Sequence, residues 1–195
     1  MDQLLFRMAD EADAPALLEI YAHYVRHSAV SFELEAPGLD EFRRRINAVL
    51  SFHPYIVCER DGRCLGYAYS STHMERAAYQ WNASLSVYLR KEQTGQGLGS
   101  ALYQRLIALS QLQNLCNLYG GVARPNPASE RLHEKLGFTR LGVYRRTGFK
   151  FGRWHDVVWF EKRLCDPSGA PAPPLSWRQI DPGLVRTVLR KGSPA

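Results

Sequence analysis

The 195-residue chain carries 25 Lys and Arg against 19 Asp and Glu, a formal net charge of +6, with 45% hydrophobic and 23% charged residues. That composition excludes a disordered chain and fits one globular domain with a substantial core, while no apolar run is long enough to span a bilayer. The basic residues are dispersed, with no block that would read as a nucleic-acid interface, so no nucleic acid and no membrane are expected as partners and a polyphosphate ligand accounts for the charge.

Asp2, Asp10, Glu11 and Asp13 stand where a signal peptide needs a basic start and a long apolar core, so a cytoplasmic protein is expected. Residues 4–8 predict a strand. Asp10 follows as an N-cap with Asp13 in the first turn, and Leu17, Ile20, Tyr21 and Tyr24 form one face of a helix. His23 and His27 lie four apart on that helix, but no third ligand or intervening catalytic Glu accompanies them, so no metal is expected. A second helix runs from about residue 39 to 50. Residues 55–59 and 64–70 then form a hairpin across Asp61-Gly62, which makes the sheet partly antiparallel. Such a hairpin points Cys58 and Cys64 to opposite faces. With Cys116 and Cys165 they show no metal or redox spacing, so free thiols are expected, Cys116 as inert packing in an apolar strand.

Next, Leu85, Val87 and Leu89 alternate with Ser84, Ser86, Tyr88 and Arg90 as in a half-buried strand, and Leu98, Leu102, Leu106 and Leu109 recur at helical spacing. Between them Glu92-Gln93-Thr94-Gly95-Gln96-Gly97-Leu98-Gly99 sets three glycines at every second position. Such a turn lets the backbone approach a ligand, and the unpaired N–H groups and positive end of the following helix favour an anion. The alternative is a turn that merely joins strand to helix. A dinucleotide fingerprint would need glycine where Ser100 stands, and no Gly-Lys-Ser/Thr completes a P-loop.

A strand around residues 116–123, a helix over 127–136 and two strands near 138–149 and 154–164, closing on Gly152, complete the pattern. His155-Asp156 lie on a strand where neighbours face opposite ways, so a structural role at the turn is assigned to Asp156. Asp166-Pro-Ser-Gly-Ala-Pro-Ala-Pro-Pro174 reads as a linker, giving a domain over 1–165 and a linker with tail over 166–195. Leu184, Val185, Val188 and Leu189 form one short helical face that either frays or docks on the body or a partner subunit.

This mixed α/β order, the glycine turn after the fourth strand, and Asn126-Pro127-Ala128-Ser129-Glu130-Arg131-Leu132-His133-Glu134-Lys135-Leu136-Gly137-Phe138 together resemble the GNAT N-acetyltransferases. Ser31-Phe32-Glu33, Gly66-Tyr67-Ala68-Tyr69, Ala78-Tyr79-Gln80-Trp81, Leu85-Ser86-Val87-Tyr88 and Gly148-Phe149-Lys150-Phe151-Gly152-Arg153-Trp154-His155-Asp156-Val157 bring it closer to the phosphinothricin acetyltransferase branch. The resemblance covers residues 4–164, so the 1–165 segment reads as the acetyltransferase domain. It implies a mixed, mostly antiparallel sheet of about six or seven strands, splayed at an acyl-CoA cleft and flanked by about four helices. Acetyl-CoA is the implied cosubstrate. It would be held by the backbone of Leu85, Ser86 and Val87, by Gln93, Thr94, Gly95, Gln96, Gly97, Leu98, Gly99 and Ser100 of the turn, and by Asn126 and Ser129.

His133 falls where many relatives carry a tyrosine that protonates the leaving sulfur; its alternative is a helix-surface histidine packed beside Leu132 and Leu136. Ser84 stands where the branch carries a glutamate taken as general base. A hydroxyl alone is no useful base, but it offers an anchor for a water relaying the proton to Glu75, His73, His133 or solvent. Phe32, Glu75, Arg76 and Tyr79 are the candidate acceptor-binding residues, with Arg76 suited to clamp a carboxylate or simply exposed on a loop; Glu33, Lys150 and Trp154 line the same cavity by resemblance, Trp154 alternatively as hairpin core. The expected function is direct acetyl transfer to the amine of a small molecule such as an amino-acid analogue, in a homodimer. The alternatives are a protein-amine acetyltransferase or, because of Ser84, a non-catalytic acyl-CoA-binding module.

Overall fold

The computed structural model describes residues 4–166 and 169–191; Asp2, Pro167 and Ser168 of the linker and the last four residues lie outside the described residues. Strand β1 (Leu5–Met8) leads into a 3-10 turn (Glu11–Asp13). There Asp10 accepts the Ala12 N–H at 2.8 Å while Asp13 accepts the Asp10 N–H at 2.9 Å, a reciprocal cap that starts α1 (Ala14–His27). Helix α2 (Leu39–Leu50) is followed by the β2 (Tyr55–Arg60) and β3 (Arg63–Thr72) hairpin. Asp61 and Gly62 take φ of 51° and 74°, the doubly left-handed pair that a two-residue hairpin turn needs. Then come β4 (Asn82–Leu89), α3 (Leu98–Leu112), β5 (Asn117–Ala123), α4 (Pro127–Lys135), β6 (Thr139–Lys150), β7 (Arg153–Arg163) and α5 (Pro182–Lys191).

Among the described residues, seven strands lie in the order β1-β2-β3-β4-β5-β7-β6, and every neighbouring pair is antiparallel except β4 with β5. Strand alternation sends Leu85, Leu118, Val158 and Phe160 to one face, where Leu102 and Leu106 of α3 cover them. Val57 and Tyr67 go to the other face, under Leu17 and Ile20 of α1 and Phe42 and Ile46 of α2. Cys58 and Cys64 fall in these two separate cores, as the hairpin requires.

One expectation is corrected and one open alternative is decided. Cys116 is not a free packing thiol but is joined to Cys165, with Cα atoms 5.0 Å apart. The register Asn117↔Arg163 sets the start of β5 beside the end of β7, and Leu164 N–H donates to Cys116 O at 2.8 Å, so the flanking cysteines meet. The tail docks on the body. Val185 and Val188 are buried with the α3 core, and Arg105 of α3 donates to Leu189 O at 2.9 Å and Arg190 O at 3.3 Å, meeting the last carbonyls of α5. Upstream, Trp81 Nε1 donates to Ala172 O and Gln113 Nε2 to Leu175 O, both at 2.8 Å, which straps the linker down. Val185 and Val188 of the α5 face are therefore spent within the chain, while Leu184 stays 45% exposed.

Lys150 and Trp154 also depart from expectation. Trp154 is 58% exposed on the β6–β7 hairpin, neither cavity wall nor core. Lys150 is 4% exposed and its ammonium donates to Val25 O and Ser31 O, both at 2.7 Å, pinning the loop after α1. Lys150→Met would leave two buried carbonyls without donors, each costing about 1–3 kcal/mol. The expected result is a loss of about 2–4 kcal/mol, seen in urea unfolding as a lower midpoint at unchanged slope. An unchanged midpoint would show that water satisfies both carbonyls.

Candidate active site

Parallel pairing of β4 with β5 covers only Asn82↔Asn117, Ala83↔Leu118 and Ser84↔Tyr119. Yet β4 stays paired to β3 as far as Leu89, and β5 to β7 as far as Ala123. The two strands therefore part just beyond Ser84. Leu85, Ser86, Val87 and Tyr88 form one wall of the resulting wedge and Gly121, Val122 and Ala123 the other, with Asn126, Ser129 and His133 beside them. The main-chain groups on these inner edges have no strand partner, so an extended ligand can add to them as a strand would.

The glycine turn lies beyond the end of β4. Gly95 and Gly97 have φ of +77° and +84°, a region costly to any side chain, and a methyl on either would meet nothing within 4 Å. Gly97 is the N-cap of α3 and no side chain caps the helix. The polar side chains are turned backwards, Thr94 Oγ1 to Lys91 O at 2.8 Å and Gln96 Nε2 to Glu92 O at 2.9 Å. The first amides of α3 are thus left for an anion. Gly99 differs from the other two: a methyl there would lie 3.6 Å from Leu132 and 3.7 Å from Leu89, so this glycine belongs to helix packing. At α4, Pro127 opens the helix and Asn126 Oδ1 accepts the Ser129 N–H at 3.2 Å.

His133 is no surface residue. It is 2% exposed, its ring stacked on Phe160 (5.0 Å, 17°) and edge-on to Tyr103 (5.4 Å, 83°). Nδ1 lies 2.8 Å from Ser129 O, and since a carbonyl only accepts, Nδ1 carries the proton. Nε2 is left as a buried lone pair with no partner, packed against Gly120, where a methyl would collide with it. Burial pushes the imidazole below its usual pKa, partly offset by the Ser129 carbonyl, so the neutral ring is favoured. A bare Nε2 takes a proton more readily than it gives one.

Ser84 occupies the vertex of the wedge and points to the opposite face of the sheet. Its Oγ lies 2.9 Å from Nδ1 of His73. His73 lies flat on Tyr119 (4.1 Å, 14°) and edge-on to Trp159 (5.9 Å, 75°), and Tyr119 O–H donates to Glu161 Oε1 at 2.9 Å. Burial lowers the His73 pKa and, with Glu161, pushes the Tyr119 phenol up to about 12.

Two of the four candidate acceptor residues line one cavity. Glu75 and Arg76 line a cavity of about 260 Å³ with Phe52, His53, Thr72 and Pro174. Tyr79 is exposed in the 3-10 turn Ala77–Tyr79, while the ring of Phe32 packs against Gly148, 6.2 Å from His155. Asp156 Oδ1 accepts the Arg146 N–H at 2.8 Å where the β6–β7 register shifts, a structural role as expected, though at this irregularity and not at the turn. Sequence reasoning missed six cleft residues: Tyr88, the β5 wall Gly121, Val122 and Ala123, and Val30 and Tyr103. Tyr103 sits one helical turn after Gly99 on the buried side of α3 and was legible from that spacing; Val30, in an irregular loop, was not.

Residues 6–159 match the acetyltransferase (GNAT) domain family. A phosphinothricin N-acetyltransferase from Alcaligenes faecalis is 41% identical over 160 residues, 81% of each chain. An L-methionine sulfoximine/L-methionine sulfone acetyltransferase from Salmonella typhimurium is 33% identical over 86% of this chain and 98% of its own. Among solved structures, a phosphinothricin acetyltransferase from Sinorhizobium meliloti in complex with AcCoA superposes with a TM-score of 0.85 at 29% identity, covering 91% of this chain and 97% of that one.

Proposed function

Because the chain belongs to the GNAT acetyltransferase family, and so is an acetyl-CoA-dependent N-acetyltransferase, we propose that its acceptor is the free amine of a small amino acid or amino-acid analogue of the phosphinothricin or methionine sulfoximine kind. The acceptor class is supported by the relatives; the observation that carries the acetyl-CoA part of the reading is the wedge beyond Ser84, with the uncapped start of α3 at its open end. Its residues fit the cosubstrate in kind. Unpaired strand edges suit the two amides of a pantetheine arm, and free amides at a helix start suit a diphosphate.

When bound, acetyl-CoA supplies an activated thioester. The chain has to hold its carbonyl against a main-chain N–H of β4, admit the amine from the Ser84 face and take up one proton. A single N–H aimed at the developing oxyanion is worth about 3 kcal/mol of barrier. Ser86 and the Ser129 carbonyl hydrogen-bonded to His133 complete the polar lining on the two sides of the sheet. The reading as a protein without catalysis rested on Ser84 lacking basicity; the His73 contact at 2.9 Å supports the catalytic reading instead.

We also read the chain as a homodimer, supported by Leu141, Tyr144, Phe149, Phe151 and Trp154, which stand exposed on the edge hairpin β6–β7. The test of the acceptor is thiol release from acetyl-CoA across free amino acids, their sulfoximine, sulfone and phosphinate analogues, and short peptides. The analogues are expected to give the highest kcat/KM, at least tenfold above peptides. A preference for peptides would overturn the small-molecule reading.

A further inference from the structure

We propose that His73, acting through the Ser84 hydroxyl, is the proton acceptor for the attacking amine. The inference deepens the acetyl-transfer reading above and rests on it. Three observations carry it. Ser84 is the last β4 residue paired to β5, so its Oγ stands at the closed end of the wedge. His73 Nδ1 lies 2.9 Å from that Oγ. The imidazole is also held in one plane, flat on Tyr119 and edge-on to Trp159, so the ring edge stays turned toward the serine.

His133 lies on the other side of the sheet, with Phe160 and Tyr103 in the α3 core, whereas Tyr119 and Glu161 face His73. Proton uptake from the amine is thereby assigned to the face opposite His133. The titratable groups facing His73 are Tyr119 of β5, Glu161 of β7 through the Tyr119 hydroxyl, and Arg163 of β7, whose charge Tyr119 feels; Glu75 and Arg76 follow in its own segment. A neutral imidazole can accept a hydrogen bond from the Ser84 hydroxyl at Nδ1.

The step balances as follows. The amine nitrogen bonds to the acetyl carbon, and its N–H becomes acidic as the nitrogen gains positive charge. That proton passes to Ser84 Oγ while the Ser84 proton passes to His73 Nδ1. The C–S bond then breaks with its electron pair on sulfur. Because bonding acidifies the nitrogen, a base with a pKa below that of free histidine suffices.

His73→Phe keeps an aromatic ring against Tyr119 but has no proton site. The expected result is a fall of about 100-fold in kcat/KM, with loss of the acid limb of the pH profile and unchanged acetyl-CoA affinity by calorimetry. Ser84→Ala is expected to do the same, and the two losses should not add, since one relay is broken twice. Ser84→Glu introduced into His73→Phe is expected to recover at least tenfold, because a carboxylate at the vertex accepts the proton directly. Without any cosubstrate, the titration midpoint of His73 followed by nitrogen NMR is expected to shift in Ser84→Ala.

If the unmodified enzyme turns over and both single variants keep kcat/KM within twofold and the same acid limb, this proposal alone fails. If the unmodified enzyme transfers acetyl to no amine, the acetyl-transfer reading fails and takes this proposal with it. Should His73→Phe not bind acetyl-CoA, Ser84→Ala with intact binding decides by the same criteria.

Discussion

Gly97→Val is expected to weaken acetyl-CoA binding about 100-fold. Gly97 holds φ of +84° at the N-cap of α3, and a methyl there meets no atom within 4 Å, so the obstacle is backbone conformation and not space. For a β-branched residue that region is a true outlier. The turn would relax by rotating φ to a negative value, which swings the following amides away from a common point. Hydrogen bonds from amides to a charged phosphate are worth about 1.5–3 kcal/mol each. Losing the aim of two of them costs about 3 kcal/mol, which is roughly a hundredfold in Kd. Titration calorimetry reads this directly, with thermal unfolding as the control for the fold. An unchanged Kd would mean that the turn does not bind the diphosphate and would remove the main physical support for the site.

The residues that made the turn legible are those whose reason is local. A left-handed backbone demands glycine at 95 and 97, alternation over 84–90 demands a strand, and the Leu98, Leu102, Leu106 and Leu109 spacing demands a helix, all within reach of a short window. The resemblance then supplied the cleft. What stayed hidden depends on contacts between distant segments. Cys116 meets Cys165 across 49 residues through the β5–β7 register, and nothing in the apolar pattern of β5 announces it. Docking of α5 needed the Arg105 guanidinium at its C-terminal carbonyls, a partner no tail sequence specifies. The meeting of His73 and Ser84 lies between these cases. Ser71 pairs with Ser84 across an antiparallel register, so continued alternation puts His73, one residue past the end of β3, on the face of Ser84, but the excursion over 73–81 is irregular and conceals where the pairing ends.

Lowering the pH from 7 to about 4 is expected to remove about 3 kcal/mol of stability through His53 alone. The ring is 7% exposed, set between the Ser70 hydroxyl at 3.3 Å and the Thr72 hydroxyl at 3.4 Å. Burial lowers its pKa from 6.5 to about 4. The unfolded chain therefore binds this proton first as the pH falls, while the folded chain resists it. The His53 contribution is fully present above about 6.5, declines between 6.5 and about 4, and changes no further below that. At about 1.4 kcal/mol per pH unit the gap amounts to about 3 kcal/mol. His73 and His133, also lowered by burial, add in the same direction.

Asp13 acts at lower pH. Burial would raise its carboxyl, but the Arg7 guanidinium, at 2.7 Å to both of its oxygens, holds it below the usual value of 3.8, so its share is lost only as the pH falls further. The two windows can thus be told apart by where the slope lies. Urea unfolding at pH 7, 5.5 and 4.5 is expected to show a steep decline that His53→Gln flattens, since an amide keeps hydrogen-bonding groups toward the two hydroxyls and cannot titrate. Parallel pH dependence in both proteins would assign the acid sensitivity to the other two histidines.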